Sequence, residues 1–156
     1  METRMEIAAW AKVEELELVY RTKMRPSERP RITTAEDAWQ IFLSVWELGR
    51  IDFQEEFKVM MLNSACKVLG VYSLSSGGIA GTVVDAKLVF CAALKAGATA
   101  IVLCHNHPSG RLEPSAADKV LTTRLREGGK ILDIHVYDHL IISPDSYLSF
   151  ANEGLL

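Results

Sequence analysis

Cysteine is scarce in this chain, and its distribution excludes a disulfide framework. The 156 residues hold only Cys66, Cys91 and Cys104, an odd number with no C-x-x-C spacing, which suits a reducing compartment. Long apolar runs are missing too, since none approaches the roughly 18–20 residues that a membrane span requires. The N-terminal METRMEIAAWAKVEE carries charges throughout and lacks the apolar core of a signal peptide. A cytoplasmic location is therefore the expectation. An excess of positive charge is also absent: the formal net charge is −3, so nothing draws the whole chain toward nucleic acid or an anionic membrane. The one basic stretch, RTKMRPSERPR (Arg21–Arg31), reads as a solvated linker, with a phosphate-contacting arm as the alternative. The glycine-rich SSGGIAGT (Ser75–Thr82) has neither the G-x-x-x-x-G-K-[ST] nor the G-x-G-x-x-G spacing that cradles phosphates, and it reads as a turn or a substrate-side flap.

What is present fits one soluble domain, 49% hydrophobic and 24% charged. Residues 1–30 read as an N-terminal arm, with an edge strand expected over Val13–Arg21, and residues 31–156 as the domain proper. TTAEDAWQIFLSVWELG predicts a helix, started by a capping box of Thr33 with Glu36 or Thr34 with Asp37 and stopped at Gly49. Its apolar positions Ala38, Ile41, Phe42, Val45 and Trp46 recur at helical spacing and are expected in the core. Glu55–Asn63 and Cys66–Ser75 predict two strands of a hairpin. A helix over Asp85–Ala98, ending at Gly97, precedes a buried strand at Thr99–Cys104. Pro114 is expected as the first residue of a helix that stops at Gly128–Gly129. Lys130–Val136 and Asp138–Ser143 predict two further strands, and the chain closes in a short strand or turn. This alternation places the fold in the α/β class, a mixed sheet flanked by helices.

The chemistry is concentrated in CHNHPSGRLEPSAAD, residues 104–118. In extended chain, positions i and i+2 share a face, so His105 and His107 point one way while Cys104 and Asn106 point the other. Two imidazoles so arranged can bind one ion, and zinc accepts histidine and carboxylate together. The loop from Pro108 to Pro114 gives slack for the first turn of the next helix to return, where Ser115 and Asp118 lie on one face. Asp118 is the natural third ligand. Three protein ligands leave a fourth position open, the arrangement of a catalytic zinc site in which bound water becomes a nucleophile near neutral pH. Ser115 is either a plain helix-start residue or a hydrogen-bond donor to an oxyanion. Cys104 is sent into the core by the alternation. His135 and His139 read as structural, although Asp138 and His139 in YDHLII are also candidates for partners that orient a ligand.

H-x-H, seven residues, S, two residues, D matches the JAMM (MPN-type) metalloprotease motif without a gap, and HNHPSG…PSAAD with DHLII downstream resembles the RadC branch of that family over about residues 30–156. The resemblance implies a mixed sheet like that of cytidine deaminases and a glutamate near the start of an early strand that hydrogen-bonds the zinc-bound water. In the E-x-F element that glutamate is Glu55, two before Phe57, with Glu56 as the alternative; strand alternation makes the two mutually exclusive. Longer RadC proteins also carry an N-terminal helix–hairpin–helix region, whereas the first thirty residues here contain no G-x-G hairpin. A DNA-repair role is therefore not supported by this sequence.

The resulting expectation is a Zn2+-dependent hydrolase of peptide or isopeptide bonds, with His105, His107 and Asp118 as ligands, Glu55 as base and Ser115 as oxyanion donor, acting on a peptide or protein. The alternatives are a non-catalytic MPN-type binding module and a RadC-like partner in DNA-repair complexes. A zinc deaminase is disfavoured, because those enzymes use H-x-E with P-C-x-x-C.

Overall fold

A computed structural model of the chain describes residues 14, 17, 21–78 and 82–156. The first twelve residues of the expected N-terminal arm, most of the edge strand expected over Val13–Arg21 and the middle of the glycine-rich loop lie outside the described residues. Elsewhere the chain forms helix α1 (Ala35–Ser44), strands β1 (Glu56–Leu62) and β2 (Val68–Ser76), helix α2 (Ala86–Ala96), strand β3 (Ala100–Asn106), helix α3 (Ala116–Ile131), and strands β4 (His135–Ile142) and β5 (Tyr147–Ser149). The strands make one sheet in the order β2-β1-β3-β4-β5. The β3–β4 pair is parallel and the other pairs are antiparallel, so α3 serves as the crossover that a parallel pair needs. The fold is α/β, with a mixed sheet flanked by helices. Among the described residues no helix is long and apolar enough to cross a membrane.

Both faces of the central strands are covered, so β1 and β3 are buried throughout, with apolar runs at Val59–Leu62 and Ala100–Cys104 and polar residues gathered at the opposite ends. On one face Met60, Leu62, Val102, Cys104, Leu140 and Ile142 pack against Ala38 and Phe42 of α1 and against Trp46. On the other, Phe57, Val59, Ile101 and Leu103 meet Val89 and Ala93 of α2 and Leu125 of α3. Burying each such Leu, Ile, Val or Phe contributes about 1.5–3 kcal/mol. This division of faces decides where the polar residues at the strand ends emerge.

Several expected boundaries differ from the structure. Helix α1 starts with the Thr34–Asp37 capping box, but it ends at Ser44 and not at Gly49. Burial of Trp46 and Ile51 draws the chain off the helical path, leaving Val45 exposed and Gly49 inside a 3-10 turn, Leu48–Arg50. Pro114 is not the first residue of α3, because Ser115 occupies the N-cap ahead of it. That helix also does not stop at Gly128–Gly129 but continues to Ile131. The glycines admit close neighbours instead: a Cβ on Gly129 would lie 2.2 Å from the Ile134 carbonyl oxygen, and one on Gly128 2.9 Å from the Phe90 ring. The two strands expected over Lys130–Ser143 are one, β4, because a bulge at Tyr137 absorbs the break in its pattern: Ile101 faces Val136 and Val102 faces Asp138. Helix α2 follows its sequence signals, capped by the Asp85 side chain and closed by Gly97 in the left-handed conformation at φ 68°.

Candidate metal centre

His105 belongs to the end of β3, and His107 lies one residue beyond the strand. The loop that follows turns sharply: the Gly110 N–H donates to the His107 carbonyl at 2.9 Å, and Gly110 takes φ 76°, which glycine adopts without strain. The loop delivers Ser115 as the N-cap of α3 and Asp118 as its third residue. The Ser115 hydroxyl accepts from the Asp118 N–H at 3.1 Å, while Asp118 Oδ2 accepts from the Ser115 N–H at 2.7 Å. The S-x-x-D spacing is thus a capping box that also fixes the direction of the carboxylate.

Three donors converge. His105 Nε2 and His107 Nε2 are 3.0 Å apart, Asp118 Oδ1 is 3.3 Å from the first, and Oδ2 is 3.5 Å from the second. Bonds of about 2.0–2.1 Å to a tetrahedral zinc would separate its ligand atoms by about 3.3–3.4 Å, so the donor set fits that ion in both chemistry and spacing. Among the described residues this is the one group of three that converges closely enough to hold a metal. The His107 ring also contacts the Arg111 carbonyl through Nδ1 at 2.9 Å. A carbonyl only accepts, so Nδ1 carries the proton and Nε2 offers its lone pair to the cluster.

The electrostatics agree with an anionic site partly shut off from water. Burial pushes the Asp118 carboxyl up, but the facing His105 and His107 rings, with the Ser115 N–H, outweigh it and hold the group far below the usual carboxylate range. The facing Asp118 carboxylate favours protonation of His107 and raises its pKa against the opposing effect of burial, assisted by the Arg111 carbonyl and the charge of Glu55. Burial pushes the Cys104 thiol well up, and its side chain packs on the α1 face, away from the cluster.

Glu55, immediately before β1, lines a cavity of about 200 Å3 with Phe57, Val84, His105, Asp118 and Leu121. Its backbone is held by the Gly78 carbonyl at 3.2 Å and the Gly77 N–H at 2.8 Å. Glu56 faces the other way: it is buried, 3.3 Å from Lys58 Nζ and 3.8 Å from Arg50. Lys58 in turn donates to the Ser73 hydroxyl at 2.8 Å and lies 4.7 Å over the Trp46 ring. His135 is exposed, stacked on Tyr137 away from the cluster.

Sequence reasoning passed over two residues and underrated a third. Asn106 is fully buried and bonded to the chain that enters β1. His139 Nε2 lies 2.8 Å from His105 Nδ1, and His139 Nδ1 lies 2.6 Å from the hydroxyl of Thr122. Burial holds the His139 ring well below its ordinary pKa. The available signal for Thr122 was its position one turn after Asp118 on α3.

Residues 32–155 match the family described as the RadC-like JAB domain. A UPF0758 protein of Flavobacterium johnsoniae is 48% identical over 125 residues, covering 80% of this chain and 53% of that protein. One from Porphyromonas gingivalis is 44% identical over 104 residues, covering 66% of this chain and 46% of its own length. One from Desulfitobacterium hafniense is 37% identical over 131 residues, covering 84% and 56%. The chain thus spans about half the length of the curated relatives it matches.

Proposed function

The chain belongs to the RadC-like JAB domain family, and we propose that it is a zinc-dependent metallohydrolase of the metallopeptidase or isopeptidase type, cleaving an amide bond in a peptide or protein. The observation that carries this reading is the convergence of His105 Nε2, His107 Nε2 and the Asp118 carboxylate at 3.0–3.5 Å. When bound, zinc would act as a Lewis acid and lower the pKa of a coordinated water toward neutrality.

In this reading Glu55 is the general base. It lines the cavity beside His105 and Asp118, whereas Glu56 is committed to Lys58 on the opposite face. Its carboxylate takes a proton from the attacking water and returns it to the leaving nitrogen, so one group serves both halves of the reaction. The Ser115 oxygen already accepts from the Asp118 N–H, which leaves its own proton available for the oxygen of the attacked carbonyl. The apolar wall of Phe57, Val84 and Leu121 excludes water from one side of the cavity and strengthens these interactions. The three unpaired thiols support a reducing, cytoplasmic setting as part of this reading, and the proposal includes no contact to DNA or membrane.

The test is metal analysis of untagged protein together with the variant Glu55→Gln. One zinc per chain is expected in both, with hydrolysis of peptide and isopeptide-linked substrates reduced about 100-fold or more in the variant. A wild-type protein that takes up no zinc, or a variant as active as wild type, would overturn the proposal.

A further inference from the structure

Behind the cluster lie two buried polar side chains that the proposed mechanism does not use, His139 and Thr122. The Thr122 hydroxyl is 2.6 Å from the Asp118 carbonyl oxygen, one turn earlier on α3, and 2.6 Å from His139 Nδ1. A carbonyl can only accept, and a hydroxyl has one proton to give. That proton is therefore committed to Asp118, and toward His139 the hydroxyl must accept. His139 Nδ1 is consequently the protonated nitrogen of its ring. The ring is fully buried, stacked at 4.6 Å on Phe150 and edge-on at 5.6 Å to Phe57, an apolar enclosure for a neutral imidazole. A neutral ring protonated at Nδ1 has its lone pair at Nε2, 2.8 Å from His105 Nδ1. The proton between the two rings accordingly resides on His105 Nδ1.

We infer that His139 and Thr122 are positioning residues, an ordered relay of hydrogen bonds that locks His105 in the Nδ1–H tautomer with its Nε2 lone pair aimed at the metal position. The relay begins and ends on ligands of the same ion: it leaves the ring of His105 and terminates on the backbone of Asp118. It thereby fixes the distance between β3 and the first turn of α3 as well as the tautomer. The inference rests on the zinc reading for its purpose, but its hydrogen-bond directions exist with or without metal.

Two measurements test it. In uniformly 15N-labelled wild-type protein without metal, ring nitrogen shifts are expected to show His139 protonated at Nδ1 and bare at Nε2; the reverse tautomer would overturn the relay. Zinc affinity is then compared by chelator competition in His139→Leu, His139→Gln and the near-isosteric Thr122→Val. Loss of the acceptor in His139→Leu and of the hydroxyl in Thr122→Val is expected to weaken binding about 10–100-fold. His139→Gln, whose amide oxygen can replace Nε2 as acceptor, retains most of the affinity. Wild-type affinity in both His139→Leu and Thr122→Val would sink the relay and leave the zinc reading intact. Failure of the wild-type protein to bind zinc counts against the zinc reading itself, and the ring shifts then decide the relay. Should His139→Leu fail to fold, Thr122→Val and the ring shifts carry the decision.

Discussion

Between the two histidines, Asn106 does the work of a clamp. Its side-chain oxygen accepts from the Glu56 N–H at 2.8 Å, and its amide donates to the carbonyls of Ile51 at 2.6 Å and Gln54 at 2.9 Å. All three partners flank or enter the segment that carries Glu55, so this one carboxamide ties the proposed base to the strand that bears His105. Asn106→Ala would leave three inward-facing backbone groups without partners, at about 1–3 kcal/mol each before any relaxation. A destabilisation of about 3–5 kcal/mol in urea unfolding is expected, with zinc stoichiometry in the surviving folded protein unchanged. A loss below about 1 kcal/mol would show that water or a shifted loop replaces the clamp. Strand alternation correctly turned Asn106 away from His105 and His107, yet it could not name the partners. Those lie about fifty residues earlier in an irregular loop whose path has no periodic signal. Legibility was best where the chemistry is local: His105, His107, Ser115 and Asp118 fall within fifteen residues, so their mutual placement needed only a strand end, a loop and a capping box.

Helix starts and helix ends obey different constraints in this chain. Both α1 and α3 begin with an S/T-x-x-D box whose bonds span three residues, so their beginnings could be read to within two residues. Thr34 with Asp37 is one of two candidates for α1, and α3 begins two residues after Pro114. Their ends are set by tertiary packing. Trp46 and Ile51 pull the chain out of α1, and Gly128–Gly129 look like a stop but serve as a point of close approach. The two close approaches predict unequal outcomes for neighbouring substitutions. At Gly129 a Cβ would collide with the backbone oxygen of Ile134, which itself belongs to the turn closing α3 and whose N–H bonds to the Gly129 carbonyl at 2.8 Å. At Gly128 the obstacle is the edge of the Phe90 ring, which can swing, and alanine regains about 1 kcal/mol of helix propensity. Gly129→Ala is therefore expected to destabilise by about 3 kcal/mol and Gly128→Ala by less than about 1 kcal/mol, as measured by thermal or urea unfolding. Equal effects would mean that the turn at Ile134 yields as readily as a side chain.

At the scale of the whole molecule, the proposed centre lies where three elements far apart or differently oriented in the chain, β1, β3 and α3, meet at one end of a shared core. His105 rides on the central strand, Asp118 on the crossover helix, and the loop of residues 107–115 between them is largely exposed. The sheet order places β3 beside β1, so that Phe57 and the preceding Glu55 reach the same end of the sheet as His105. No single stretch of sequence encodes that meeting; it follows from Phe57 pairing with His105 across fully buried strands. An ion bound at this corner would stabilise the folded state alone, because the unfolded chain has no preformed site. At a free zinc concentration 100 times the dissociation constant the linkage amounts to about 2.7 kcal/mol, or a rise in Tm of roughly 5–10 °C for a chain of this size. A chelator is expected to reverse the rise. Asp118→Ala should abolish the zinc-dependent part while also lowering the metal-free Tm through loss of the capping box, whereas Glu55→Gln should preserve the full zinc-dependent rise. A zinc-induced shift that survives in Asp118→Ala would place the stabilising ion elsewhere, and an equal loss in Glu55→Gln would make Glu55 a ligand and not a base.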